Sequence, residues 1–187
     1  MVWESHYWKL RIKELIAEIE VLSEQPDASD LDISKLEIAI FTGWFLVRKL
    51  CEAQTKLSTK AMNQNVKCEA SHKANLAPKV DLLNRFQIEE LYAFEGFVPK
   101  ELALKTACNL FIHSYFLWMV FDSDGLPEGE AIVSGVHLTS DFDKEKMVYR
   151  FQIAEIVRVF RSIVDDENDI LSLHRDSITG EWIVKRA

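Results

Sequence analysis

Three polar side chains stand out where the chain is otherwise apolar. Thr106, Asn109 and His113 are spaced three and four residues apart, which puts them on one face of a helix, with Ser114 beside them. Histidine is the side chain whose charge changes near neutrality, so His113 is the candidate general acid or base, or a ligand contact. Asn109 is its candidate partner at the site, and Thr106 and Ser114 are candidate binding groups. A buried imidazole or amide left unpaired costs about 1–3 kcal/mol. On a buried helix these groups therefore complete a hydrogen-bond network between helices, meet a second protomer, or line a cleft. Cys108 lies five residues before His113, about 140° round the helix, too far round for a thiol–imidazole pair within one chain.

Other constellations carry less chemistry. Asp122-Ser123-Asp124-Gly125 starts like a calcium loop but lacks the later ligands and the closing Glu. His6, His72, His137 and His174 fall in four separate elements, with no zinc spacing among themselves or to cysteine. Serine-nucleophile, P-loop and dinucleotide patterns do not occur. No metal or cofactor is expected from these spacings.

The elements that would position the stripe are read from periodicity. From Trp3 to Ser23 apolar residues recur at helical spacing. Gln25–Asp32 reads as a turn, Ser34 with Glu37 as a capping box, and a second helix follows to about Ser58. Thr59–Lys79 has no aromatic residue, and the 53–79 stretch carries five lysines against one acid, the pattern of a solvated loop. Val80, Leu83, Phe86, Leu91 and Phe94 suggest a third helix. Lys100 to Phe121 reads as a fourth, apolar on nearly every face from Ala107 onward, and so enclosed by other elements or by a partner chain.

Beyond Gly125 the period changes. Ala131–Thr139 and Met147–Gln152 alternate as strands about a polar turn. Ile153–Val164 reads as a short helix, and Ile170–His174 and Glu181–Lys185 as two last strands. The expected fold class is therefore α+β, mainly α: a single domain with a bundle of four long helices over residues 1–125. A small antiparallel β unit with one further helix, residues 126–187, would pack on it.

Composition narrows the class. Apolar residues at 48% and charged residues at 28% are ordinary globular usage. A net charge of −8 opposes general binding to DNA or anionic membranes, which needs a basic surface. Cys51, Cys68 and Cys108 are scattered and odd in number, the pattern of reduced thiols in a cytoplasmic protein.

The segment Cys108-Asn109-Leu110-Phe111-Ile112-His113 resembles the signature of HEPN-type domains: Arg, a polar residue such as Asn, a short spacer, then His, on the last long helix of a helical bundle. Asn109 and His113 match the polar residue and the His, and Cys108 stands where the Arg belongs. Active members of that superfamily cleave RNA without metal at a dimer cleft, and others serve in phage defence. Without the guanidinium that would stabilise a pentavalent phosphate, the resemblance implies a non-catalytic, homodimeric interaction or regulatory protein in phage defence or stress response. The alternative is a metal-independent ribonuclease, with RNA as partner, in which His113 works with a cation from elsewhere, such as Lys105, Arg85 or Arg48.

Overall fold

The computed structural model describes residues 4–53, 55–167 and 170–186. The expected helix start at Trp3 lies outside them. Two long helices open the chain. α1 (Ser5–Ser23) buries Ile12, Leu15, Ile16, Ile19 and Leu22, the i, i+3, i+4, i+7 stripe of an amphipathic helix. α2 (Asp30–Glu52) buries Leu36, Ala39, Ile40, Gly43, Trp44, Val47 and Leu50. Its cap is Ser29, whose hydroxyl accepts from the Asp32 amide at 3.3 Å and donates to the Asp32 carboxylate at 2.6 Å. Ser34, the expected cap, instead donates back to the Asp30 carbonyl at 2.8 Å, one turn inside the helix.

The helical bundle expected for residues 1–125 is not what forms. The remaining elements are α3 (Thr59–Met62), β1 (Asn65–His72), α4 (Ile88–Leu91), a 3₁₀ turn at Phe94–Gly96, β2 (Val98–Ala103), α5 (Leu104–Ile112), β3 (Ser114–Asp122), β4 (Ile132–Ser140), β5 (Met147–Gln152), α6 (Ile153–Val164), β6 (Ile170–Arg175) and β7 (Trp182–Arg186). The first five strands make one antiparallel sheet in the order β2-β1-β5-β4-β3. β6 and β7 pair in a separate hairpin. The architecture is thus α+β built on a substantial five-stranded sheet, with strands on both sides of residue 125.

Three segments account for the correction. Asn65–His72, expected as loop, is an interior strand whose Val66, Cys68 and Ala70 face inward. Val80–Phe94 is not one helix. Asp81 there accepts from the amides of Leu83 and Asn84 at 2.8 and 3.1 Å, and the Asn84 side chain holds the Asp81 amide and the Lys79 carbonyl. These local bonds offer the backbone an alternative to helix. Lys100–Phe121, expected as one buried helix, is the end of β2, nine-residue α5 and all but the last residue of β3.

The sheet is sandwiched. On one face α1, α2, α5 and α6 enclose the main core, which takes Leu117 and Met119 from β3 and Tyr149 and Phe151 from β5. On the other face lies residue segment 73–97. There Val80, Leu91 and Tyr92 meet Phe116, Trp118 and Val148, the alternate positions of the same strands. No helix among the described residues is long and apolar enough to cross a membrane.

Two glycines mark close approaches. A Cβ on Gly43 would lie 2.2 Å from the Phe160 ring, where α2 crosses α6. A Cβ on Gly135 would lie 2.6 Å from the Phe151 carbonyl oxygen, a backbone atom of the adjoining strand that no rotamer change can move. Gly135→Ala is therefore expected to part β4 from β5 locally. It should cost about 1–3 kcal/mol, read as a lower urea midpoint with unchanged slope.

Candidate functional site

Three of the four sequence-predicted site residues converge. α5 leaves β2 at Leu104 and buries Leu104, Ala107, Cys108, Leu110 and Phe111 against the core. Thr106, Asn109 and His113 occupy the opposite, exposed face. The expectation that they are buried is thus corrected: α5 is apolar on one side only, and the run of apolar residues after it belongs to β3. None of the described residues hydrogen-bonds their side chains. They form one wall of a cleft of about 490 Å³, with Leu102 and Leu110 at its base.

The facing wall is the β4–β5 turn. The Asp141 amide donates to the His113 carbonyl at 3.3 Å, fastening the turn to the end of α5. From this turn Asp141, Phe142 and Asp143 reach the cleft, with Ser140 and Tyr149 at its ends. Asp141 is neutralised by Lys144, whose ammonium lies 2.7 Å away. Asp143 has no cation among the described residues. It accepts instead from the Tyr149 hydroxyl at 3.3 Å and the Ser140 hydroxyl at 3.4 Å. Burial first, and then the Asp143 charge, push the Tyr149 phenol up, so it remains a protonated donor. Phe142 is 79% exposed at the rim. Among the described residues no Arg or Lys lines the cleft.

Ser114, the fourth site residue, is not brought to this cleft. It opens β3 and lines a separate depression with Glu37, Phe41, Arg85 and Phe86. Arg85 is therefore not beside His113. Arg48 is engaged with Glu52 at 2.9 Å on α2, and Lys105 points to solvent next to the stripe without lining the cleft. Cys108, in the Arg position of the resemblance, is fully buried. A hydrogen bond with the Cys51 thiol, together with burial, pushes it up, so it is inert as a nucleophile at neutral pH.

A larger cleft of about 650 Å³ opens between α3 and α6. Two of its charged lining groups, Asp166 and Arg158, already have partners. Asp166 accepts from the Ser58 amide at 2.9 Å and pairs with Lys9 at 3.7 Å, while Arg158 holds Glu155 at 2.7 Å. The α5 cleft is the better candidate because the Thr106, Asn109 and His113 side chains that line it have no hydrogen-bond partner among the described residues.

No family model, curated protein or solved structure matches this chain. The likeness to HEPN-type domains rests on Asn109 and His113 in this sequence alone. Asn109 stands here on a nine-residue helix wedged between two strands and His113 is its C-cap, rather than both lying on the last long helix of a bundle. Sequence reasoning missed Asp141, Asp143 and Tyr149. The turn 140–146 was legible as a hairpin turn, but that it folds back over the end of α5 is a tertiary fact with no local signal.

Proposed function

We propose that the chain is a non-catalytic interaction or regulatory protein whose signal is a small amine-bearing molecule held in the α5 cleft. The observation that carries this reading is the set of unengaged polar groups facing one uncompensated carboxylate. Asp143 supplies the charge for an ammonium, and Leu102, Leu110 and Phe142 cover its hydrocarbon part. Thr106, Asn109 and His113 offer a hydroxyl, an amide and an imidazole to fix its orientation. Among the described residues no nucleophile–base pair accompanies them in the cleft, which supports binding over turnover.

The ribonuclease alternative asks for a cation at the phosphate. Among the described residues no Lys or Arg lines the cleft, and Lys144 and Lys100 are engaged elsewhere, by Asp141 at 2.7 Å and by the Tyr149 ring face at 5.5 Å. The uncompensated Asp143 carboxylate in the same cleft repels a phosphate. The acidic lining therefore favours the binding reading.

Thermal denaturation with butylamine, putrescine and spermidine, against inorganic phosphate and AMP, tests it. A ligand at 100 times its Kd adds about 2.7 kcal/mol, a rise in Tm of roughly 5–10 °C for a chain of this size. The rise is expected with an amine, absent with the phosphates, and lost in Asp143→Asn. Turnover of single-stranded RNA that disappears in His113→Ala would overturn the proposal.

A further inference from the structure

α2 and α5 meet along a line of side chains, and two thiols lie on it. Trp44 of α2 stacks on Phe111 of α5 at 4.6 Å. Cys51 follows Trp44 by about two helical turns, and Cys108 precedes Phe111 by about one. The two sulfurs are hydrogen-bonded to each other across the helix contact. Their access to water differs. Cys108 is wholly enclosed in the main core, whereas Cys51 is half-buried at its margin, by the end of α2.

The groups around Cys51 favour its thiolate. Arg48 stands three residues before it on the same helix face. The Arg48 Nε holds Glu52 at 2.9 Å, while its buried Nη1 has no hydrogen-bond partner among the described residues. Lys105, three residues before Cys108, is a second positive charge acting on Cys51. The hydrogen bond with Cys108 first, and then the Arg48 charge, hold the Cys51 thiol below its usual range against its burial and the nearby Glu52. Cys68 of β1, the third thiol, is enclosed, and burial pushes it up to about 12.

We infer that Cys51 and Cys108 are a dithiol oxidised by hydroperoxides, Cys51 attacking and Cys108 resolving, which closes a disulfide tying α2 to α5. The Cys51 thiolate attacks one peroxide oxygen and the O–O bond breaks; with hydrogen peroxide the hydroxide that leaves takes up a proton as water. Cys51 is then a sulfenic acid. The Cys108 sulfur attacks the Cys51 sulfur, the S–S bond forms and the S–O bond breaks. The departing hydroxide takes the Cys108 proton as a second water. Two thiols are oxidised and one peroxide is reduced. Cys108 needs no path to solvent for this, because the sulfur it attacks is the one it already meets. The unpartnered Arg48 N–H is a donor for the thiolate and for the leaving hydroxide. None of this depends on what the α5 cleft binds.

The test exposes the reduced, folded full chain to a slight excess of hydrogen peroxide, then maps its peptides by mass without reduction. The expected product joins the Cys51 and Cys108 peptides with the loss of two hydrogens, leaves Cys68 as a thiol, and reverts with dithiothreitol. Cys108→Ala is expected to stop at the Cys51 sulfenic acid, trapped by dimedone. Cys51→Ser is expected to lose no thiol under the same exposure. Arg48→Gln should slow cross-linking at neutral pH about threefold or more and raise the pH at which Cys51 is alkylated. A wild-type chain whose thiols stay reduced, or whose Cys51 proceeds to sulfinic acid without a cross-link, overturns the inference. So does a disulfide that includes Cys68. These wild-type outcomes decide the matter even where a core variant fails to fold.

Discussion

Trp44→Ala is expected to destabilise the chain by about 3–5 kcal/mol, lowering Tm by roughly 6–20 °C. Trp44 is wholly buried and sits in a line of rings that ties the helices to the sheet. It stacks on Phe111 of α5 at 4.6 Å and 13°, and meets Phe160 of α6 edge-on at 5.4 Å. Phe111 in turn meets Phe151 of β5 at 5.0 Å. Truncation removes contacts to α5 and α6 at once, and Gly43 beside it already brings Phe160 as close as the backbone allows, so little collapse can fill the void. The indole Nε1 has no hydrogen-bond partner among the described residues. Trp44→Phe, which removes that orphan donor and keeps an aromatic ring, should therefore cost markedly less. Urea unfolding followed by circular dichroism separates the two. Because Phe111 lies on the underside of the helix that carries Thr106 and Asn109, Trp44→Ala should also loosen the cleft.

The second large effect is a pH dependence set by His137. It lies in the middle of β4, 94% buried, between Phe97, stacked at 5.3 Å, and Phe94, edge-on at 5.0 Å. Across the sheet it is level with Arg150 of β5 and Trp118 of β3. Arg150 is bound to Glu69 at 2.6 Å and lies over the Phe97 ring at 4.6 Å. Burial, and secondarily the Arg150 charge, push His137 down to about 4, and its Nε2 meets no partner among the described residues. The folded state therefore binds a proton less readily than the unfolded chain, whose histidine titrates near the usual ~6.5. The stabilisation from keeping this ring neutral is complete above about pH 6.5 and is lost as pH falls toward 4, at about 3 kcal/mol in all. Glu145 and Glu155 are held below the usual carboxylate range, chiefly by a bond from Lys73 for Glu145, and for Glu155 by bonds from Arg158 and the Lys67 amide that outweigh its burial. Their stabilisation is lost only below the ordinary glutamate value, about 4.3, so the upper part of the slope belongs to His137. Urea midpoints of wild type and His137→Leu from about pH 7 to pH 4.5 should diverge, the variant losing less. Parallel curves would contradict this assignment.

The contrast between legible and illegible elements has a physical basis. α1, α2 and α6 were readable because each carries a full apolar stripe at helical spacing, ending in α6 at Ile153–Val164 as the residues suggest. β4, β5 and the last hairpin were readable from alternation about polar turns. β1 was not, because its inward residues Val66, Cys68 and Ala70 are small, and Lys67 and Glu69 between them read as solvated loop. The segment after Pro99 was misread because no glycine or proline separates β2, α5 and β3. The break falls at His113, where the amide still bonds Asn109 at 2.9 Å and the carbonyl is taken by Asp141. The aromatic and β-branched density of residues 115–121 was a strand signal that the length of the apolar run concealed. At the site, the i, i+3, i+7 stripe was legible because α5 is helical over Thr106 and Asn109 and His113 caps its end. Its partner wall was not, since Asp143 and Tyr149 arrive through tertiary folding of the β4–β5 turn.

The most direct test of the α5 cleft is a two-dimensional amide NMR titration of the isotope-labelled chain with putrescine. The expected result is saturable shifts at Thr106, Asn109, His113 and Asp141–Asp143, little change along α1, and loss of these shifts in Asp143→Asn. Shifts confined to residues outside α5 and the β4–β5 turn, or equal shifts in Asp143→Asn, would contradict the assignment of this cleft as an amine-binding site.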